Sequence, residues 1–229
     1  MKFNYNGHMK LPRLLLIPFF ILSIIVLTGF FSCSRAEPEI LYGFIDLVYY
    51  MGRDKTEERY SFFILPEDDD GVDNLSELYL YNDREGLRWL FTSDDWIRYE
   101  ENGKIWIGSR SIAMFGDASL PRGQYRAVLV NKGGESKERK FTYDGPETPP
   151  YPFPSLSYSG GNYQIVSQYP VNRIIFYDQQ GKIISAVQVR ELSGNFRDFR
   201  VGGAARTMAL WAEEPEYRIS VLTEAIPVQ

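Results

Sequence analysis

The 229-residue sequence predicts an all-β protein built as two tandem units behind an N-terminal leader. Three observations carry this. Short runs rich in Val, Ile, Tyr, Phe and Trp recur between clusters of Gly, Asn, Asp and Ser, the pattern of strands joined by turns. The span Gly145 to Pro154 holds five prolines, which fix φ and remove donors, so it reads as an extended boundary between two halves. Short echoes recur at a near-constant offset: Tyr81 and Tyr177 are 96 residues apart, Tyr125 and Tyr217 are 92 apart, about the length of one small β domain.

The leader comes first in the chain. Lys2, Lys10 and Arg13 precede an uncharged apolar run, Leu14 to Cys33, and no acidic residue occurs before Glu37. A basic flank followed by a greasy stretch and small residues is the pattern of a bacterial export signal, which keeps its own N-terminus in the cytoplasm and sends the remainder across the membrane. The run closes on Phe30-Phe31-Ser32-Cys33, with the chain's one cysteine at its end. This resembles the lipobox of bacterial lipoproteins, and most of all the relaxed boxes of spirochaete lipoproteins: Phe30 stands where Leu is usual and Phe31 where a small residue is common. The resemblance implies a signal peptide over residues 1–32, acylation of Cys33, and a lipidated tether over residues 33–39. Ser34 after the cysteine implies the outer membrane in some bacteria. Several acyl chains hold a protein to a bilayer firmly, where one holds it marginally. Two other readings stay open. Cleavage after Ala36, at Ser34-Arg35-Ala36, would release a soluble protein. An uncleaved run would span a bilayer, for which about 20 apolar residues suffice.

In the first unit, residues 40–144, strands are expected near Ile40–Tyr50, Tyr60–Leu65, Glu77–Tyr81, Leu87–Thr92, Trp96–Glu100, Lys104–Ile107, Gln124–Asn131 and Arg139–Tyr143. Glu101-Asn102-Gly103 predicts a type I′ hairpin, because Asn and Gly tolerate positive φ. Lys132-Gly133-Gly134-Glu135 turns the next hairpin. Asn74 to Tyr81 also reads as a capped helix with Leu75, Leu78 and Tyr79 on one face, and periodicity does not decide between the two. Residues 145–155 form the proline-rich linker, a spacer that would hold the second unit away from the membrane, or a proline-rich ligand for a partner. In the second unit, residues 156–229, strands are expected near Asn162–Gln168, Arg173–Tyr177, Lys182–Arg190, Arg206–Trp211 and Tyr217–Thr223. Gln179-Gln180-Gly181 and Glu213-Glu214-Pro215-Glu216 are the turns. After the last strand only Glu224 to Gln229 remains. This unit is therefore closed by a stub containing Pro227 or left with an open edge, and an open edge accepts a partner strand.

The segment Leu120-Pro121-Arg122-Gly123-Gln124-Tyr125, continuing Arg126-Ala127-Val128-Leu129-Val130, resembles the corner and strand of fibronectin type III and related Ig-like modules. The resemblance implies two tandem Ig-like or fibronectin-III-like β-sandwiches. In such modules a tyrosine sends its hydroxyl back to the preceding corner; Tyr125 is the candidate, and Tyr217 after Pro215 its counterpart. These sandwiches serve many roles, so the likeness bears on fold and not on function.

Composition excludes several chemistries. Without the leader the chain has 22 basic and 30 acidic residues, a net charge of −8, which nucleic acid and anionic head groups repel. The one histidine, His8, lies in the leader. A mature chain without imidazole or free thiol cannot run Ser-His-Asp or Cys-His catalysis, or build zinc sites from His and Cys. No disulfide is possible, so each unit relies on its core. No cofactor or metal is expected. Asp68-Asp69-Asp70-Gly71-Val72-Asp73-Asn74 is the densest acidic run, but Gly71 at the sixth place of a calcium loop would put Pro66 first, so it reads as a solvated turn.

Carboxylate pairs remain for acid–base work: Glu100 with Glu101, or Asp94 with Asp95. Neighbours along a strand face opposite ways, so neither pair converges by itself. The candidate binding residues are Trp89, Trp96, Trp106 and Trp211, as a glycan-stacking face or an interface hot spot, with core packing as the ordinary alternative. Trp96 and Trp106 flank the Asn102-Gly103 turn and could pair across it. The expected role is a membrane-anchored envelope lipoprotein that binds or scaffolds without catalysis. An envelope protein is the partner expected before a glycan, and carboxylate-dependent glycan hydrolysis is the rival.

Overall fold

The computed structural model describes residues 36–116 and 118–228; the leader and the acylation of Cys33 lie outside the described residues. The first half consists of β1 (Glu39–Met51), β2 (Thr56–Glu67), β3 (Leu75–Asn82), β4 (Leu87–Thr92), β5 (Ile97–Glu101), β6 (Lys104–Ile112), β7 (Gly123–Asn131) and β8 (Ser136–Tyr143). The second consists of β9 (Ser155–Ser159), β10 (Asn162–Val166), β11 (Val171–Tyr177), β12 (Ile183–Val189), β13 (Ser193–Asn195), β14 (Thr207–Glu214), β15 (Ile219–Leu222) and β16 (Ile226–Pro227). Short 3₁₀ turns at Val72–Asn74, Phe196–Phe199 and Gly202–Ala204 are the helical pieces among the described residues, and the fold is all-β.

The strands form one large, curled mixed sheet and two smaller ones. The large sheet runs β12-β11-β14-β15-β1-β2-β6-β5, with β16 added on β14; the smaller sheets run β4-β3-β7-β8 and β13-β10-β9. Alternation along each strand sends one set of side chains inward. From β1 and β2 these are Ile45, Leu47, Tyr60, Phe62 and Ile64, which join Leu78, Leu80, Tyr125 and Leu129 of the four-stranded sheet. In the second half Ile174, Phe176, Met208 and Leu210 join Leu156, Tyr163 and Ile165 of the three-stranded sheet.

The two halves meet edge to edge. Strand β15 pairs antiparallel with β14 on one side and parallel with β1 on the other, placing Leu47 opposite Ile219 and Tyr50 opposite Leu222. Arg218, just before β15, fastens the seam from a left-handed φ of 53°. Its carbonyl accepts from the Leu47 N–H at 3.0 Å, and its Nη2 donates to the Thr142 carbonyl at 2.8 Å. Its guanidinium also lies 5.3 Å from the centre of the buried Tyr143 ring, within cation–π range. One hydrophobic cluster therefore passes through both halves, and the chain from Glu37 onward is a single compact unit.

Several expectations change in the structure. The open edge expected after the last strand is occupied by β1, and the stub around Pro227 is β16, paired to the far end of β14. The proline-rich linker lies against both halves. Tyr151 donates to Glu214 Oε2 at 2.9 Å and sits edge-on to Tyr169, Phe153 sits edge-on to Tyr49, and the Pro146 carbonyl accepts from Arg122 Nε at 3.3 Å. Tyr217 is not the counterpart of Tyr125. The Tyr125 hydroxyl donates to the Pro121 carbonyl at 2.5 Å, as the corner resemblance implies, and Tyr60 donates to the same oxygen at 2.8 Å. Tyr217 lies exposed in the turn before β15, which stands beside β14 as β8 stands beside β7; the place of β7 is held by β14. Tyr81 and Tyr177, by contrast, sit at the ends of β3 and β11, which hold the same place in each half. The Asn74–Tyr81 ambiguity resolves to strand, with β3 paired on both sides. Asn102 and Gly103 take φ of 53° and 72°, the I′ turn expected.

Because β15 belongs to both halves, guanidinium unfolding should show one transition, read with single-tryptophan variants keeping Trp89 or Trp211. Ile219, 1% exposed, should lower both readouts together by about 2–5 kcal/mol when replaced by Ala. Two separated midpoints would mean that the seam does not couple the halves.

Candidate functional site

The residues of β1 that do not enter the core, Phe44, Asp46, Val48 and Tyr50, lie on the opposite face of the large sheet. Where the sheet curls, that face becomes an open trough of about 460 Å³ lying across the seam. The first half adds Ser61, Phe63, Tyr99 and Arg110; the second adds Arg173, Tyr177, Trp211 and the β12 residues Ile183 and Ala186. The volume falls within the range of small-ligand sites, about 300–1,000 Å³.

A row of polar groups crosses its floor. Asp46 stands opposite Ser61 in the β1–β2 ladder. Opposite Ser61 the β6 strand is irregular: Tyr60 faces Ile112 and Phe62 faces Ser109, which leaves Arg110 and Ser111 against one residue. Such a bulge re-aims side chains, and Arg110 lines the trough. Gly108 permits the close approach of β6 to β2, since a Cβ there would lie 2.0 Å from the Phe62 carbonyl oxygen. Asp46, Ser61 and Arg110 thus follow one another across three strands spaced about 4.8 Å apart. The carboxylate accepts, the hydroxyl does both, and the guanidinium only donates.

The charges of the trough are unequally satisfied. Burial raises the Asp46 carboxyl to about 6; Arg218 opposes the rise and Glu213 adds to it. Among the described residues no hydrogen bond reaches the Asp46 carboxylate, and Arg110 has no ion pair; its guanidinium lies 5.7 Å from the centre of the Phe63 ring. Arg173 is neutralised by Glu213, whose Oε1 also accepts from Trp211 Nε1. Burial pushes the phenols of Tyr50, Tyr99 and Tyr177 upward, so they remain neutral donors. On the rim Arg59 lies 4.7 Å over Tyr50 and pairs with Glu57 at 2.8 Å.

The structure places two of the four tryptophans here. Trp211 lines the trough. Trp106 extends its aromatic wall, stacked on Tyr99 with ring centres 6.3 Å apart and 5.7 Å from Phe44. Trp89 is half-buried elsewhere, donating from Nε1 to the Ala113 carbonyl at 3.3 Å and lying 6.4 Å from Tyr125. Trp96 sits in the turn before β5, beside Val72 and Arg98. It does not pair with Trp106, because the register sets Tyr99 opposite Trp106. Glu100, Glu101, Asp94 and Asp95 are exposed on β5 and in the turn before it. In the acidic run Asp68 Oδ1 accepts from the Asp70 N–H at 2.9 Å and from Asn74 Nδ2 at 3.0 Å, which shapes a turn. Among the described residues no group of three His, Cys, Asp or Glu is placed to hold a metal ion. Sequence reasoning passed over Asp46 and Arg110. A lone acid in the middle of the apolar Ile40–Tyr50 run was the available signal; Arg110 offered none.

No family model matches the sequence, and no curated protein matches it. Among solved structures, the chain is similar to dimeric latent PorU from Porphyromonas gingivalis, at 11% identity and a TM-score of 0.32 over 84% of this chain and 20% of that one. It is also similar to the BSP domain of a biofilm-associated protein, at 13% identity and a TM-score of 0.24 over 85% of this chain and 29% of that one. The chain spans less than a third of either.

A carboxyl that titrates at about 6 when folded, against an ordinary 3.8, binds its proton more tightly in the folded state. Its contribution to stability is present at low pH and is lost as the pH rises from about 4 through 6. Asp46→Asn should therefore be more stable than the parent at pH 7 to 8, by up to about 3 kcal/mol. That difference should close near pH 4 in thermal unfolding across the range. Parallel stability profiles for the two proteins would show that Asp46 is not perturbed.

Proposed function

We propose that this protein is a bacterial envelope lipoprotein, held at the outer membrane by an acylated Cys33, whose two fibronectin-III-like or Ig-like sandwiches act by binding and not by catalysis. Strand order supports the sandwich reading. In one half four neighbours, β1-β2-β6-β5, lie over β4-β3-β7-β8, and in the other three, β9-β10-β13, lie over β12-β11-β14-β15. The hydroxyl of Tyr125 on the Pro121 carbonyl is the corner contact of such modules. The basic flank, apolar run and terminal cysteine of the leader support the tether.

The observation that carries the binding role is the trough. Both halves contribute to it, it is lined with partly exposed rings, and its floor holds an acid and an arginine that lack partners within the described residues. A group that costs the fold stability while facing an open cleft is the mark of a site built for something outside the chain. Its counterpart is another component of the envelope.

A second reading, carboxylate-dependent glycan hydrolysis, has one observation in its favour: Asp46 and Glu213 line the same hollow, Asp46 with a raised pKa. An acid of raised pKa near an ionised carboxylate is the pairing that chemistry uses. Glu213, however, is already engaged by Arg173 and Trp211. Glycan turnover by the purified protein, lost in Asp46→Asn, would decide for it.

Cys33→Ser should shift the protein from the detergent phase to the aqueous phase and abolish metabolic labelling with palmitate. A photo-crosslinking residue at Tyr99 or Tyr177 should capture an envelope component in intact cells, while the same residue at Leu90, exposed on β4, should not. Membrane retention of Cys33→Ser, or equal capture from all three positions, would count against the reading.

A further inference from the structure

We propose that the trough is a glycan subsite, seating a short uncharged stretch of oligosaccharide with its hydroxyls on Asp46, Ser61 and Arg110 and its ring faces against the flanking aromatics. This rests on the trough being the contact surface, and adds the chemistry of what enters it.

Three features select a neutral, polyhydroxylated ligand. The first is the order of the polar row. Acceptor, donor–acceptor and donor stand on β1, β2 and the bulge of β6, one strand spacing apart. A sugar hydroxyl both donates and accepts, so the several hydroxyls along a short oligosaccharide can satisfy Asp46 and Arg110 together. Neither group has a side-chain hydrogen bond or ion pair among the described residues.

The second feature is charge. Asp46 and Arg110 bring one charge of each sign to the trough, Glu213 and Arg173 are paired, and Arg59 on the rim is paired with Glu57. A strongly basic segment would meet Arg110 and Arg173, and a strongly acidic one Asp46 and Glu213. An apolar protein segment would seal Asp46 and Arg110 from water with nothing to bond them, a costly burial. A ligand without charge but rich in hydroxyls avoids all three penalties.

The third feature is the walls. Tyr99 and Phe44 from the first half and Tyr177 and Trp211 from the second line the opening. Tyrosine and tryptophan combine an apolar face with a polar tip. Such faces accept the C–H side of a sugar ring while the phenols, kept protonated by burial, donate at its edge. Trp106, stacked on Tyr99, holds that wall rigid from behind.

The test uses the full-length protein in detergent, titrated with cellotetraose, chitotetraose and maltotetraose by calorimetry and by fluorescence of a variant that keeps Trp106 and Trp211. At least one should bind at micromolar to millimolar concentration and change the tryptophan emission. Asp46→Asn and Arg110→Gln should each weaken that binding about tenfold or more, while Trp89→Phe leaves it unchanged. Thermal unfolding of each variant confirms that it is folded. The inference is overturned if none of the three sugars binds by about 10 mM, a limit corresponding to negligible affinity. It is overturned equally if the Asp46 and Arg110 variants bind as the parent does, or if oligolysine or heparin binds the trough in their place. Should the sugars fail while Tyr99 and Tyr177 still capture a protein in cells, the ligand class is wrong and the contact surface stands. Failure of both removes the trough from the function altogether.

Discussion

The parallel pairing of β1 with β15 is the constraint on which the rest of the molecule depends. Four residue pairs, Leu47 to Tyr50 against Ile219 to Leu222, turn two separate stacks of strands into one sheet. Parallel strands are ordinarily buried on both faces, and here the inward side chains of both partners enter the common core while Val48 is covered on the outer side. Arg218 is the fastening. In a left-handed conformation that costs a residue with a Cβ some energy, it binds β1 through its carbonyl and β8 through its guanidinium. The proline-rich strap and the buried Glu58–Arg122 pair, 3.3 Å apart and tied to Pro146, support the same junction from the other side.

The trough follows from the seam. Either half by itself would expose a shallow aromatic patch; joined through β15 and β1 the two patches curve toward each other and enclose a volume. Asp46 belongs to the first half, yet Arg218 and Glu213, the charges that set its proton affinity, belong to the second. Anything that loosened the join would change the walls and the electrostatics of the floor at once. At neutral pH the ionised Asp46 costs the fold stability, and the charges that set that cost stand on the other half.

Alternation made most strands legible. β4 falls at Leu87–Thr92 as read, and β7 differs by one residue, because both are flanked by turn residues that leave little choice. β9 is masked by the prolines that precede it, and β13, at three residues, is too short to show a period. Alternation tells which face a residue takes but not which strand lies beside it, so the pairing of β15 with β1, far apart in sequence, could not be read. The same limit misled the reading of Tyr217, where a strand-like pattern matched Tyr125 in sequence but not in the pairing order. At the site, Trp211 and Trp106 lie at the trough, while Trp89 and Trp96 share the residue type and not the location. Arg110 depends on a bulge created by register and by Gly108, neither of which leaves a local signature.

The direction of the seam bears on how the molecule carries load. β1 follows directly on the short segment that would lead to Cys33, and it lies alongside β15 with both strands running the same way. Force applied to the N-terminal end of β1 along the strand would load its ladders with β2 and β15 lengthwise. Every rung of its ladders would then be strained in shear at once, instead of peeling one after another. The first strand after the leader is thus clamped along both of its edges, so that it yields to a lengthwise pull as a unit.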